Sequence, residues 1–424
     1  MLIHTVKDGE TLTDIAAIYG LSAEYIAKVN SYYQKLVPGQ ELIIVYPAVT
    51  HTVKAGESLF SVARDYNTDI SALLRNNPFL NNGLNAGDEI TIAYSSKKQG
   101  NITLNGYCYT FIGFELFRRI LPYLSYVTIF TYGFDESGKL IPPYPADDIY
   151  IKTASEYGTA PLMHLSTLTS AGSFSSALAA FLLSNEGLWD ELADNILANI
   201  EEKGYKGLDI DFEYLSAEFA EPYAAFTALL RRRLNERGYI LIIALAPKTS
   251  AAQQGLLYEG HSYKLLGQSS DLVMPMTYEW GYAYSEPMAV APINSVNRVI
   301  EYALSEIPSN KILLGLPFYG YDWQLPYEKG ITVGRSLSPE FALQLGREYN
   351  GIIKFDESSA SPFMTYFNGD TEHIVWFESP KSIQAKTTLI ARYSLAGAGI
   401  WSIDRPFWQG YMTINLMYDI KKFY

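Results

Sequence analysis

Three acids, Asp209, Asp211 and Glu213, stand at i, i+2 and i+4 inside the run Lys206-Gly207-Leu208-Asp209-Ile210-Asp211-Phe212-Glu213. Residues 207–215 have the length and apolar filler of a buried strand, on which alternate side chains share a face. The three carboxyls then point one way, about 6–7 Å apart in succession, and Leu208, Ile210, Phe212 and Tyr214 point the other. Three carboxylates on one buried face repel one another and resist desolvation, so folding alone does not favour them. The pattern therefore reads as a place where proton affinities are pushed apart for acid–base work. A solvated strand face would mix Lys, Thr or Ser among the acids, and this one does not. A hard-cation site would need further ligands. The five histidines (4, 51, 164, 261 and 373) are scattered, so no metal is expected, and no phosphate-binding glycine loop or Ser-His-Asp arrangement calls for a cofactor.

The bulk properties narrow the setting. With 424 residues, the chain has room for one large domain and one or two small ones. Net charge is −13, which argues against nucleic acid as the main partner. No stretch approaches the roughly 20 apolar residues of a membrane helix, so no membrane partner is expected. The single cysteine, Cys108, rules out an intramolecular disulfide and reads as a small core residue. Met1-Leu2-Ile3-His4 opens directly into folded-looking sequence, so the expectation is a protein made without the usual export signal.

The first hundred residues repeat. His4-Thr5-Val6-Lys7-Asp8-Gly9-Glu10-Thr11-Leu12 returns 47 positions later as His51-Thr52-Val53-Lys54-Ala55-Gly56-Glu57-Ser58-Leu59, and Asn30 maps onto Asn77. Each unit reads as a βααβ module: a strand (4–6, 51–53), a glycine turn, a helix capped by Thr11 or Ser58, a second helix (23–30, 70–76) and a closing strand (41–45, 89–93). His4 and His51 hold equivalent positions, which favours a structural role. Boundaries are set at 1–47, 48–95 and 96–424. Residues 95–100 form a short polar linker, expected to leave the modules modestly free.

From there strand-like and helical runs alternate. Candidate strands cover 107–112, 127–132, 161–166, 207–213, 240–246, 272–277, 311–317 and 399–403. Eight such units in about 320 residues argue for the α/β class as a (β/α)8 TIM barrel. A small α+β insertion at about 322–378 separates strands 7 and 8. Glu213 falls at the C-terminal end of its strand, where such barrels place their chemistry.

Both repeats resemble LysM domains, which bind N-acetylglucosamine-containing polymers. By that resemblance glycan lies against Gly9, Glu10 and Thr11, or Gly56, Glu57 and Ser58, with Pro38 and Asn85 across the groove. The acid-rich strand resembles the D-G-x-D-x-D-x-E signature of glycoside hydrolase family 18. Met276-Thr277-Tyr278, Gly315–Gly320 and Gly399–Asp404 match that family's sixth, seventh and eighth strands.

The family's mechanism is substrate-assisted, and it departs from the two-carboxylate rule. The resemblance implies that Glu213 acts as general acid and then base, and that the sugar's own 2-acetamido oxygen attacks carbon, with net retention. Asp211 would orient the acetamido group, Asp209 would share its proton, and Tyr278 would hydrogen-bond the acetamido oxygen. Trp401 would floor the −1 sugar, with Met276, Glu279 and Tyr319 lining the same site. Three positions depart from the pattern. Lys206 replaces the first Asp and is expected to affect stability or pH dependence. Glu279 stands where Asp is frequent, and Tyr321 where Arg is frequent.

Two LysM-like modules before such a barrel resemble the glycosidases that lyse spore cortex. That implies a β-1,4 cut after N-acetylglucosamine in peptidoglycan, in cortex fragments at germination. It also implies synthesis in the mother cell, placement in spore coat layers and contact with coat proteins. The alternatives are a chitinase and a non-catalytic wall-binding coat protein; retention of Glu213 argues against the latter.

Overall fold

The computed structural model describes residues 1–80 and 83–423. Eight parallel strands build the catalytic-sized domain: β1 (Asn101–Tyr109), β2 (Tyr126–Phe134), β3 (Ala160–Ser166), β4 (Gly207–Asp211), β5 (Ile240–Leu245), β6 (Leu272–Pro275), β7 (Leu313–Pro317) and β8 (Gly397–Trp401). They pair in the order 6-5-4-3-2-1-8-7, and a parallel bridge from Val273 to Ile312 closes the ring. The expected TIM barrel is therefore present. Period-2 alternation sorts the side chains. Leu104, Cys108, Leu208, Ile210 and Ile243 pack outward under the helices, whereas Tyr107, Leu162, Ile242, Ala244 and Met274 fill the interior. A Cβ on Gly399 would lie 2.2 Å from Met274 Sδ, so β8 has room for that filling only as glycine.

All eight strands differ from expectation at one end or both, and two of these differences bear on the site. β1 begins at Asn101, directly after the expected linker and before the expected start at 107, and Asp419 and Ile420 return from the C-terminus to pair with Asn101 and Ile102. β4 ends at Asp211, so Glu213 stands just beyond the ladder. The insertion holds the strands Gly320–Gln324, Arg335–Leu337, Ile352–Asp356, Ser361–Asn368 and Thr371–Trp376 in one antiparallel sheet, with the helix Pro339–Glu348 against it.

Each N-terminal module is a βααβ unit, as the repeat implies. The first uses Leu2–Thr5, Leu12–Tyr19, Ala23–Asn30 and Glu41–Ile44; the second uses Pro47–Thr52, Leu59–Asp65, Ile70–Asn76 and Glu89–Tyr94. Asn30 and Asn77 do the same work: each amide grips its own helix and the closing strand, Asn30 through Ile26 O and both backbone groups of Ile43, Asn77 through Leu73 O and both of Thr91.

The expected freedom of the modules is not found, because both dock on the barrel. The helix Trp408–Met417, buried along its whole length, is the common support. Gln409 Nε2 donates to Asn30 Oδ1 and Glu41 O at 2.8 and 2.9 Å. The Glu41 carboxylate accepts from Lys381 N, in the first turn of the helix Pro380–Tyr393, where the helix dipole favours an anion. In the second module Arg75, 6% exposed, donates to Pro122 O and Asn415 Oδ1. The linker is tied down as well: Lys98 Nζ donates to Asn415 O and Tyr418 O, and Gln99 N to Met417 O.

Arg75→Ala leaves two buried acceptors without their donor, at about 1–3 kcal/mol each. The expected result is a second module that comes loose. Limited proteolysis will then cut within residues 95–100 before the barrel unfolds, which wild type resists.

Candidate active site

The acids climb one face of β4. Asp209 sits deepest, fully buried, beside His164 and Ile242 in the parallel register. Asp211 ends the strand opposite Ser166. Glu213 follows in the loop, half-buried at the rim. Alternation continues past the ladder, so Leu208, Ile210 and Phe212 stay in the outer core. Asp211, Glu213, Tyr278, Glu279, Met276 and Trp401 all line one cleft of about 1100 Å³. Apart from Tyr319, the sequence-predicted residues of the barrel therefore converge, with Asp209 just beneath the floor.

Burial dominates the electrostatics. It pushes the Asp209 carboxyl up to about 7, against the nearby Tyr107 hydroxyl and hydrogen bonding from Thr128 and Asn105, which favour the anion. Asp211 is raised further by burial and then by the charges of Glu213 and Asp209. Glu213 is raised by burial. One buried oxygen on each of Asp209 and Asp211 has no hydrogen-bond partner, so burial favours the protonated form of each, and the titrations of the neighbours are linked.

A carboxyl whose folded pKa lies above its unfolded value adds stability at low pH and loses it as pH rises through the folded value. For Asp209 that window runs from about 4 to 7. Asp209→Asn removes the burial of a charge but also weakens the contacts to Thr128 and Asn105. The net expectation is stabilisation by about 1–2 kcal/mol above pH 7 and none at pH 4. Denaturant melts at the two pH values check it.

Two turns aim the rim groups. Tyr214 (φ 56°) directly follows Glu213, and Glu279 (φ 67°) directly follows Tyr278. Non-glycine residues in the left-handed region cost about 1–3 kcal/mol and persist where the surroundings hold them. Glu279 is held: Tyr319 Oη donates to its Oε1 at 2.5 Å, and Tyr321 Oη lies 3.1 and 3.3 Å from its two oxygens. Two of the three departures from the family pattern, Glu279 and Tyr321, thus touch each other. Burial raises Glu279, while the two tyrosines lower it. Tyr319 is buried behind Glu279 and acts on that carboxylate; it is not part of the cleft wall. Trp401 is half-buried in the floor, with Tyr107, Tyr109 and Phe130 ringing it at centroid distances of 5.8, 6.0 and 5.2 Å.

The module candidates lie outside this cleft, and several serve the fold. Glu10 accepts from Lys7 N and meets His4 Nε2 at 3.0 Å; Glu57 repeats this with Lys54 N and His51 Nε2 at 2.7 Å. Thr11 and Ser58 cap the following helices. Gly9 and Gly56 turn the chain at φ 76° and 85°. Hydrogen bonds from Gly39 N to Val6 O and from Gly87 N to Val53 O show that Pro38 corresponds to Ala86, and Val37 to Asn85.

Several site residues escaped the motif reading. Thr128 Oγ1 lies 3.0 Å from Asp209 Oδ2, and Asn105 Nδ2 lies 2.9 Å from Thr128 Oγ1. His164 is fully buried, kept neutral with its pKa near 3, and its Nδ1 meets Thr131 Oγ1 at 2.7 Å. A signal existed: Asn105 and Tyr107, Thr128 and Phe130, and His164 and Ser166 are i, i+2 pairs of inward residues on β1, β2 and β3.

Comparison with known proteins follows the same division of the chain. The profile of Glycosyl hydrolases family 18 matches residues 119–405, and that of the LysM domain matches 4–45 and 51–93. The chain is 38% identical over 306 residues to the cortical fragment-lytic enzyme of Bacillus subtilis (strain 168), covering 72% of this chain and 70% of that one. It is 33% identical over 427 residues to the putative sporulation-specific glycosylase YdhD of the same organism, covering 100% of both. The spore cortex-lytic enzyme SleL of Bacillus megaterium QM B1551 superposes with a TM-score of 0.84 at 33% identity, covering 100% of this chain and 99% of that one. A chitinase from Chromobacterium violaceum shares the fold at 21% identity and a TM-score of 0.69, covering 74% and 98%.

Proposed function

Because the chain belongs to glycoside hydrolase family 18, we propose that it cleaves the β-1,4 bond after N-acetylglucosamine in spore cortex peptidoglycan, with retention and with help from the substrate. One observation carries the reading: a single strand lifts Asp209, Asp211 and Glu213 from the barrel interior to the cleft rim, with Tyr278 lining the same cleft from the end of β6.

Glu213, at the rim with a raised proton affinity, reaches the glycosidic oxygen as the acid and later activates water as the base. Asp211, below it, receives the acetamido N–H and balances the positive charge of the cyclised intermediate. Asp209 takes up the proton that Asp211 must shed, at no gain of net charge in the barrel. Tyr278 donates to the acetamido oxygen and holds it against carbon. Trp401 lies under the apolar face of the sugar. Substrate assistance requires a free acetamido group on the −1 sugar, which N-acetylglucosamine has and a muramic lactam lacks.

The relatives named for cortex lysis and sporulation support a spore setting; we further propose synthesis in the mother cell and a place in the coat layers, beside coat proteins. Mass spectrometry of digested cortex fragments tests the bond. New N-acetylglucosamine reducing ends are expected. New muramic ends would overturn the assignment, and faster turnover of chitin oligomers than of peptidoglycan fragments would move the chain to the chitinases.

A further inference from the structure

The two modules share a frame but not an environment. In both, the turn after the first strand is open to solvent at Gly9 and Gly56. The loop that faces this turn differs. In the first module Ile353 N donates to Pro38 O at 2.9 Å, and a Cβ on Gly39 would lie 1.9 Å from Ile353 O. Val37 and Tyr32 on the same loop are sealed into the insertion's core with Leu343 and Met364. The loop is thus a structural part of the insertion. In the second module Asn85, Ala86 and Gly87 are exposed, and a Cβ on Gly87 would meet nothing within 4 Å.

A second difference is independent of the first. Phe60, two residues after the cap Ser58, is 68% exposed and outside its module's core. The first module has the smaller, polar Thr13 there. A large aromatic ring left in water at the start of the helix that follows the exposed turn adds nothing to folding, whereas its face suits the apolar side of a pyranose.

We propose that the second module alone grips glycan, a β-1,4 chain carrying N-acetylated glucosamine, with Phe60 as its stacking platform, and that the first module is a strut joining the insertion to the barrel. This rests on the carbohydrate reading above. The LysM resemblance of residues 51–93 implies the occupant class, and the closed loop of the first module removes the competing site.

The test uses the full chain with Glu213→Gln, so that bound glycan survives. Hydrogen exchange is read with and without N-acetylglucosamine hexamer. Within the modules, protection is expected at residues 54–60 and 83–88 and is absent at 7–13 and 35–40. In the active chain, Phe60→Ala is expected to weaken retention on insoluble peptidoglycan about 5-fold or more, with kcat on a short soluble fragment unchanged, and Thr13→Ala to change neither. Protection at 7–13, equal losses from the two variants, or no loss from Phe60→Ala would overturn the proposal. Protection at 54–60, together with no glycan cleavage by the chain that retains Glu213, would support the grip while defeating the hydrolase reading.

Discussion

Glu213→Gln lowers the rate of cortex-fragment cleavage by about 10²–10⁴-fold, the range for loss of a positioned proton donor, and leaves binding within a few-fold of wild type. The amide keeps the size and the rim position but carries no transferable proton, so the sugar leaving group departs as an unstabilised alkoxide. Binding survives because the sugar rests on Trp401 and the cleft walls, which the substitution does not touch. The loss is therefore expected in kcat, not KM. An aryl leaving group that departs without protonation should recover part of the rate in its first step. The alkaline limb of the wild-type pH profile reports Glu213 losing its proton; burial places that limb above the ordinary carboxylate range, and it should vanish in the variant. Loss of binding in parallel with rate would defeat the assignment.

Asp211→Asn is expected to cost about 10²–10³-fold in kcat, the scale for removing one preorganised electrostatic contact to the transition state. Asp211 and Glu213 are neighbours on one face; the Glu213 charge raises the proton affinity of Asp211, and because a pairwise interaction is reciprocal, an ionised Asp211 opposes ionisation of Glu213. Removing the Asp211 charge lowers the affinity at Glu213, so the alkaline limb of kcat/KM moves to lower pH. A purely structural role would lower activity with the limb in place. The two readouts together separate charge from shape.

Much of this site was legible because its signal is local. Acids at i, i+2 and i+4 with apolar residues between them survive any small error in the strand's limits, which is why Glu213 lies where expected although β4 ends at Asp211. The polar inward residues Asn105, Thr128 and His164 were not read, since each pattern is one pair on one strand and acquires meaning only when the barrel closes around Asp209. Residues 101–106 lie ahead of the strand that the sequence predicts, since Asn101, Thr103 and Asn105 are polar; their strand depends partly on Asp419 and Ile420, more than 300 positions away. Docking of the modules was hidden for the same reason. Arg75, Gln409 and Glu41 look like ordinary surface residues until Asn415, Asn30 and Lys381 N are placed beside them.

That docking changes how affinity depends on the length of the glycan. Two sites joined by a loose tether gain avidity smoothly as the ligand grows, because the tether samples many separations. Here the span between grip and cleft is fixed by the helix Trp408–Met417 and the contacts on either side of it. An oligomer shorter than the span occupies one site or the other and gains nothing from the second. Once it can bridge, it gains the whole benefit at once. Affinity against chain length should then rise as a step, and the oligomer at which the step falls measures the span.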